Sequence, residues 1–258
     1  MDLEAKSLSC KFVEIPIAHR GFHDCGGLFG SGLTENSMSA FDAAIKNGFG
    51  IELDLQLTSD NVPIVFHDYN LKRLTGINKN VQDVTLQTLE KATLPNGEII
   101  PTFSKVIKFV SGRVPILIEM KDQDGSLGPN VGVLEFEVAK ILKSYSGPVA
   151  VMSFNPYSVL SFGKIFPKIP RGLVTEGFSK QSWPEVSEKR LEHLRLQKDI
   201  RQVGASFISH DFNDLHKFKI KNLSKSMVVL SWTVRSHIDM KIALKRAHNV
   251  TFEGFNPK

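Results

Sequence analysis

Apolar residues recur along this chain in two rhythms, and the rhythms alternate. Ile15 to Ala18 is a short apolar run marked by Pro16 and predicts a buried strand. From Glu35 onward, Met38, Phe41, Ala44 and Ile45 recur at helical spacing, with Thr34 or Asn36 as the candidate cap and Gly48 as the stop. Ile51 to Leu57 then alternates strictly, so Glu52, Asp54 and Gln56 share one face of a strand and the aliphatic residues share the other. Strand, helix, strand is a βαβ unit with parallel strands. After the turn Thr58-Ser59-Asp60-Asn61, the run Val62 to Asp68 follows too closely for a parallel crossover and predicts the return arm of a hairpin.

The same alternation continues to the end of the chain. Pro101-Thr102 opens a helix through Val110 that Gly112 ends, and Pro115 to Ile118 is a strand carrying Glu119 and Lys121 beyond it. Helical runs are predicted over Val131 to Tyr145, Pro156 to Phe166, Lys189 to Val203 and Ile238 to Ala247. Strands are predicted over Pro148 to Phe154, Arg171 to Thr175, Ala205 to Ser209, Met227 to Val234 and Val250 to Phe255. Without the hairpin arm this makes eight parallel strands with helices between them, the pattern of a (β/α)8 TIM barrel in the α/β class. Residues 1 to 14 are a lead-in that would cover the bottom of the barrel, and a length of 258 residues suits such a barrel as one domain.

The polar face of the second strand breaks the pattern, because strands of a parallel sheet are normally apolar on both faces. Glu52 and Asp54 would lie about 7 Å apart by strand geometry and repel each other in a low dielectric. A positive charge has to lie between them, either a divalent cation or a Lys or Arg side chain. His19 and Arg20 stand at the end of the first strand, and the hairpin returns His67 toward Glu52 or its neighbour. Two histidines, an arginine and facing carboxylates are the raw material of metal-assisted phosphoryl chemistry. His19, Arg20, Glu52, Asp54, Glu119, Lys121, Ser153, Trp232 and Glu253 all fall at or near strand ends, where barrel chemistry is located.

The order of these pieces resembles the glycerophosphodiester phosphodiesterase family. HRG is followed by ENS-x-x-AF-x-x-A, IELD with T-x-D-x-x-P, V-x-HD and LKRLTG, then Ile118-Glu119-Met120-Lys121, Ser153-Phe154 and Trp232-Thr233-Val234. The resemblance covers nearly the whole chain and implies a barrel of the phospholipase C-like phosphodiesterase type, with residues 70–100 as the family's short insertion. It implies a metal site of Glu52, Asp54 and Glu119, all oxygen ligands suited to Mg²⁺ or Ca²⁺. The competing reading of those carboxylates is a buried ion-pair cluster with Arg20 and Lys121. His19 and His67 match the family's catalytic histidines; His19 is favoured as base and His67 as acid, an assignment that could be reversed. Arg20 and Lys121 would bind the phosphate, Glu35 and Asn36 would cap the helix and support Arg20 or the metal ligands, and Trp232 would wall the glycerol pocket or pack in the barrel. Two departures stand out: Thr34 replaces the family's usual Pro, and the last strand ends TFEGFNP instead of Thr-Asp-x-Pro. Neither is expected to touch the catalytic set, and both leave pocket shape open.

Composition narrows the setting. Hydrophobic content is 41%, charged content 23%, and 32 basic against 27 acidic residues leave +5. That excess is spread over Lys-rich segments with no basic block interleaved with aromatics, which gives nucleic-acid binding no support. Cys10 and Cys25 are too few for a disulfide framework, and MDLEAKSLSCKF has no apolar signal core. No run approaches the roughly 18 apolar residues of a membrane span, so a soluble cytoplasmic protein without membrane insertion is expected. Five glycines, counted from Gly21 through Gly32, mark a loop able to bend over a ligand. The expected reaction is metal-dependent hydrolysis of a small-molecule glycerophosphodiester to glycerol 3-phosphate and an alcohol. A lysophospholipase D-like reading would need an apolar groove beside the metal, for which Phe22 and Phe29 are candidates. A non-catalytic binding barrel is the third reading, with no reason to keep unfavourable facing carboxylates.

Overall fold

Eight strands run parallel and in sequence order around a ring: Ile17–Ala18 (β1), Gly50–Leu57 (β2), Ile116–Met120 (β4), Val149–Ser153 (β5), Arg171–Thr175 (β6), Phe207–Asp211 (β7), Val228–Val234 (β8) and Asn249–Phe252 (β9). The ring closes because β1 pairs with both β2 and β9, Ile17 lying between Gly50 and Thr251. Pro63–Val65 (β3) is the predicted hairpin arm, antiparallel to β2 with Leu55 opposite Val65. This is a closed (β/α)8 barrel, seen in a computed structural model that describes residues 6–24 and 32–258.

Alternation along the strands assigns each residue to the lumen or to the helix layer. Ile51, Leu53, Leu55, Ile116, Ile118, Val149, Val151, Val229 and Val250 face outward and are buried with helix residues such as Phe41, Val106, Val138 and Phe162. Ile17, Leu117, Ala150, Met152, Val174, Phe207 and Leu230 face inward and fill the barrel. Phe12, from the short helix Lys11–Glu14, plugs the bottom of that lumen, and Asn249 Nδ2 donates to the Phe12 and Ile15 carbonyls beneath it. Gly172 makes room for Phe207, since a Cβ there would lie 2.5 Å from the ring. The polar face of β2 is therefore a lumen face near the open end, not a helix-covered one.

Helix ends follow local chemistry. Thr102 caps Phe103–Val110, Asn155 caps the helix Pro156–Ile165, and Ser236 caps His237–Ala243, each accepting from a backbone N–H in the first turn. The helix Met38–Lys46 departs from expectation: Ser37 is its cap, accepting from the Ala40 N–H, while Asn36 turns its side chain elsewhere. The single helix expected over 189–203 is two, Glu188–Arg195 and Asp199–Gln202, separated at Gln197 by a left-handed backbone (φ 51°). A helix over Phe218–Leu223 precedes β8, where the apolar spacing had predicted no element. Residues 70–100 hold only short helical turns. Their apolar side chains Leu71, Val81, Leu89 and Leu94 join Ile64 and Phe66 of the hairpin in a satellite cluster instead of an independent core.

Candidate active site

Closure of the ring brings the ends of β1, β2, β4 and β9 side by side at the open mouth. Asp54 lies opposite Glu119 in the β2–β4 register, so adjacent strands present their carboxylates together. Glu52, Asp54 and Glu119 are all buried, and their carboxylate oxygens lie within 4.8 Å of one another, the one such group of acidic, His or Cys side chains among the described residues. Lys121 Nζ reaches Asp54 Oδ1 at 2.9 Å and Glu119 Oε1 at 2.6 Å. Arg20 supports the other side: its backbone N–H donates to Glu52 Oε2 (3.0 Å) and its Nε lies 3.3 Å from Asp54 Oδ2.

These contacts leave the charges unevenly compensated. Burial alone would push the Asp54 carboxyl up, but Lys121, His67 and Arg20 outweigh it and hold the group well below its usual range. Glu52 goes the other way: burial raises it, and the charges of Asp54 and Glu119 raise it further. Burial would lower the Lys121 ammonium, yet Asp54 and Glu119 keep it protonated. The ion-pair reading of the trio is thus realised in part, since Lys121 and Arg20 do form an ion-pair cluster with it. That cluster still holds more negative charge than it neutralises around Glu52. An all-oxygen donor set with excess negative charge fits a hard divalent cation.

The two histidines take parallel arrangements around this trio. His19 continues β1, its N–H donating to the Phe252 carbonyl, and its Nδ1 lies 2.7 Å from Glu253 Oε2. Burial pushes the His19 imidazole down to about 4, only partly offset by Glu253, so the ring is neutral at pH 7. His67 Nδ1 lies 2.8 Å from Asp68 Oδ1. Gln56 holds the His67 carbonyl and Phe66 N–H bonds the Asp54 carbonyl, which sets the second ring beside the first carboxylates. In each case Nδ1 is engaged by a carboxylate, and the ring lines the cavity.

A layer of polar contacts locks these groups. Glu35 accepts from Arg20 Nη1 (2.8 Å) and from Arg73, and Arg73 Nε also donates to Asp68 at 2.6 Å. One guanidinium thereby ties the carboxylate behind His67 to the one behind Arg20. Asn36, at φ 55°, donates its amide to Asp54 Oδ2 (2.9 Å), so it supports a trio carboxylate instead of capping a helix. Gly21, at φ 81°, makes the turn after Arg20 where a Cβ would meet Ala40 at 3.0 Å.

All ten sequence-predicted site residues converge on this mouth or its immediate support. His19, Arg20, Glu52, His67, Glu119, Lys121 and Trp232 line one cavity of about 880 Å³, with Asp54, Glu35 and Asn36 behind them. Trp232 lines the cavity, and its Nε1 donates to the Ser209 carbonyl within the barrel. Ser153 is internal, bonded to the Met120 carbonyl. Phe22 packs edge-on against Phe49 (5.3 Å) in the helix-layer core and forms no part of the cavity; Phe29, Cys25 and most of the glycine loop lie outside the described residues. The expectation that the TFEGFNP departure leaves the catalytic set untouched is corrected, because Glu253 contacts His19 directly. Asp68, which engages His67, and Arg73, which bridges Asp68 to Glu35, were not anticipated at the site, although both lie in quoted motifs; a carboxylate following a site histidine was the available signal.

Residues 19–250 match the family model described as the glycerophosphoryl diester phosphodiesterase family. The Bacillus subtilis protein YhdW is 30% identical over 232 residues, covering 85% of this chain and 86% of its own. A glycerophosphodiester phosphodiesterase of Caldanaerobacter subterraneus subsp. tengcongensis is 29% identical over 241 residues, 89% of each chain. An Oleispira antarctica phosphodiesterase, solved with its product sn-glycerol-3-phosphate, superposes with a TM-score of 0.71 over 94% of each chain at 21% identity, a likeness of fold.

Proposed function

Because the chain belongs to the glycerophosphoryl diester phosphodiesterase family, we propose that it hydrolyses glycerophosphodiesters to glycerol 3-phosphate and an alcohol, with His19 and His67 moving the protons and Glu52, Asp54 and Glu119 holding a divalent cation, Mg²⁺ or Ca²⁺. The observation that carries this reading is the pair of carboxylate-anchored histidines flanking a buried three-carboxylate cluster. The product in the Oleispira antarctica enzyme supports the choice of substrate.

A bound divalent ion supplies Lewis-acid polarisation of a phosphoryl oxygen. The chain's own residues do the rest. Neutral His19 accepts the proton of the attacking hydroxyl at Nε2, and Glu253 stabilises the imidazolium that results. As the bond from phosphorus to the alcohol oxygen breaks, His67 in its protonated form delivers a proton to the leaving alkoxide, with Asp68 stabilising that charged ring. Arg20 and Lys121 place fixed positive charge where negative charge grows on the phosphoryl oxygens. The nucleophile is water, giving glycerol 3-phosphate directly, or the 2-hydroxyl of the glycerol itself, giving a cyclic phosphate that water then opens, and a substrate lacking that hydroxyl separates the two. We read residues 1–258 as one catalytic barrel domain, and the paucity of cysteines supports a reducing, cytoplasmic setting. No helix among the described residues is long and apolar enough to cross a membrane.

The test is a glycerol 3-phosphate release assay on purified protein with Mg²⁺, Ca²⁺ or excess chelator. Turnover should require a divalent ion, and His19→Ala and His67→Ala should each lose about 10²–10⁴-fold. Persistent turnover after exhaustive chelation, or full activity in His19→Ala, would overturn the assignment.

A further inference from the structure

The cavity extends well beyond the acid trio. Its volume of about 880 Å³ lies near the upper end of the ~300–1,000 Å³ typical of small-molecule sites. The trio occupies the side of the mouth built by β2 and β4. Across the barrel, the ends of β5, β6, β7 and β8 contribute Phe154, Glu176, Asp211 and Trp232 to the opposite wall, and the segment after β6 adds Trp183.

Three aromatic rings of that wall stand against one another. Phe154 lies 5.2 Å from Trp183 and 5.5 Å from Trp232, the latter at 88°. Both indoles are fixed at their N–H ends: Trp232 donates to the Ser209 carbonyl, and Trp183 donates to Glu176 Oε1. Two carboxylates, Glu176 and Asp211, therefore edge a surface of π-faces. Of the basic residues lining the cavity, Arg20 and Lys121 belong to the acid cluster, and Arg235, just past the end of β8, is paired with Glu253 at 3.3 Å.

Aromatic faces combined with carboxylates attract one chemical class above others, a cation with an apolar periphery. An acyl chain laid on the same wall would leave Glu176 and Asp211 facing hydrocarbon, which is unfavourable. An anionic head group would meet like charge. Resting on the phosphodiesterase reading, we infer that this wall is the subsite for the alcohol moiety and that it selects glycerophosphodiesters of cationic amino alcohols, above all a quaternary ammonium alcohol such as choline. Glu176 and Trp183 are its specificity-determining residues. The electrostatics agree: burial, with Asp211 and Asp214 nearby, pushes the Glu176 carboxyl up despite its bond to Trp183, a penalty that a neighbouring cation relieves.

The decisive comparison is kcat/KM for glycerophosphocholine against its uncharged carbon isostere, the glycerophosphodiester of 3,3-dimethylbutanol, each read as glycerol 3-phosphate release. The two share shape and differ in charge. Wild-type protein should prefer the cation by about tenfold or more, chiefly through KM. Glu176→Gln keeps an acceptor for Trp183 and should reduce that ratio at least severalfold; Trp183→Leu should do the same by removing a ring. A wild-type ratio below tenfold, an unchanged ratio in both variants, or faster turnover of a choline lysophospholipid than of glycerophosphocholine would overturn the inference. Hydrolysis of both diesters at similar rates overturns the subsite alone, whereas no hydrolysis of any diester with any metal overturns the phosphodiesterase reading and the subsite together.

Discussion

Replacing Glu253 by glutamine removes the charge, but little of the shape, of the group that holds the His19 ring. The bond is 2.7 Å long, and the two side chains are only 13% and 11% exposed, so water cannot replace the lost partner. Hydrogen bonds to charged groups in such settings are worth about 1.5–3 kcal/mol, which corresponds to about 10- to 150-fold in rate. On the proposed mechanism the loss should fall on kcat, because a carboxylate stabilises an imidazolium formed during proton transfer more than the neutral ring before it. Its direction in pH follows from the same contact. Glu253 raises the His19 basicity that burial has pushed down to about 4, so the variant has a weaker base. Its plateau should fall while the acidic limb of its kcat/KM profile moves to lower pH. Glycerol 3-phosphate release between pH 3 and 8 measures both effects. On a His19→Asn background the same substitution should change the rate less than about twofold, because the two residues act as a unit. Arg235 reaches Glu253 from solvent, 61% exposed, so Arg235→Ala should cost no more than a surface pair, about 1 kcal/mol or less. Wild-type activity in Glu253→Gln, or full additivity with His19→Asn, would refute a role through the imidazole.

Three further outcomes follow from packing and burial. Gly172→Ala drives a methyl group to 2.5 Å from the Phe207 ring inside the barrel. It should destabilise by about 1–3 kcal/mol in urea unfolding, with partial recovery on Phe207→Leu; an unchanged midpoint would contradict the lumen packing. His210 is buried against Thr175, with Asp214 and Lys217 nearby, and burial pushes its imidazole down to about 4 from 6.5. The unfolded chain therefore binds the extra proton first, so this contribution is complete above about pH 6.5 and is lost as pH falls toward 4, about 3 kcal/mol in all. His210→Gln should flatten the stability profile across that window, and parallel profiles would speak against it. Asn36→Ala removes the buried amide donated to Asp54 and should cost about 1–2 kcal/mol while raising the metal concentration needed for half-maximal turnover; an identical metal titration would show that Asp54 is oriented without it.

Much of this molecule was legible along the chain because strand and helix periodicities are short-range properties. The alternation over Ile51–Leu57 sets Glu52 and Asp54 on a common face whatever the strand packs against, and the four-residue turn after it permits only a hairpin. Eight apolar runs separated by helical ones match the count of a (β/α)8 barrel, whose closure leaves no strand at an edge. Periodicity does not say which residues meet at the rim. Glu253 and His19 are 234 positions apart and touch only because β9 pairs with β1. Asn36 had the composition of a helix cap, yet the buried carboxylate of Asp54 competed for its amide and Ser37 took the cap. The apolar groove was sought at Phe22, but that ring is drawn into the helix-layer core by Phe49, while Phe154, Trp183 and Trp232 form the aromatic wall from three separate segments. Chain order determined the elements and the acidic face. Ring closure decided the partners, because burial makes polar groups choose the nearest complementary atom in space, regardless of separation in sequence.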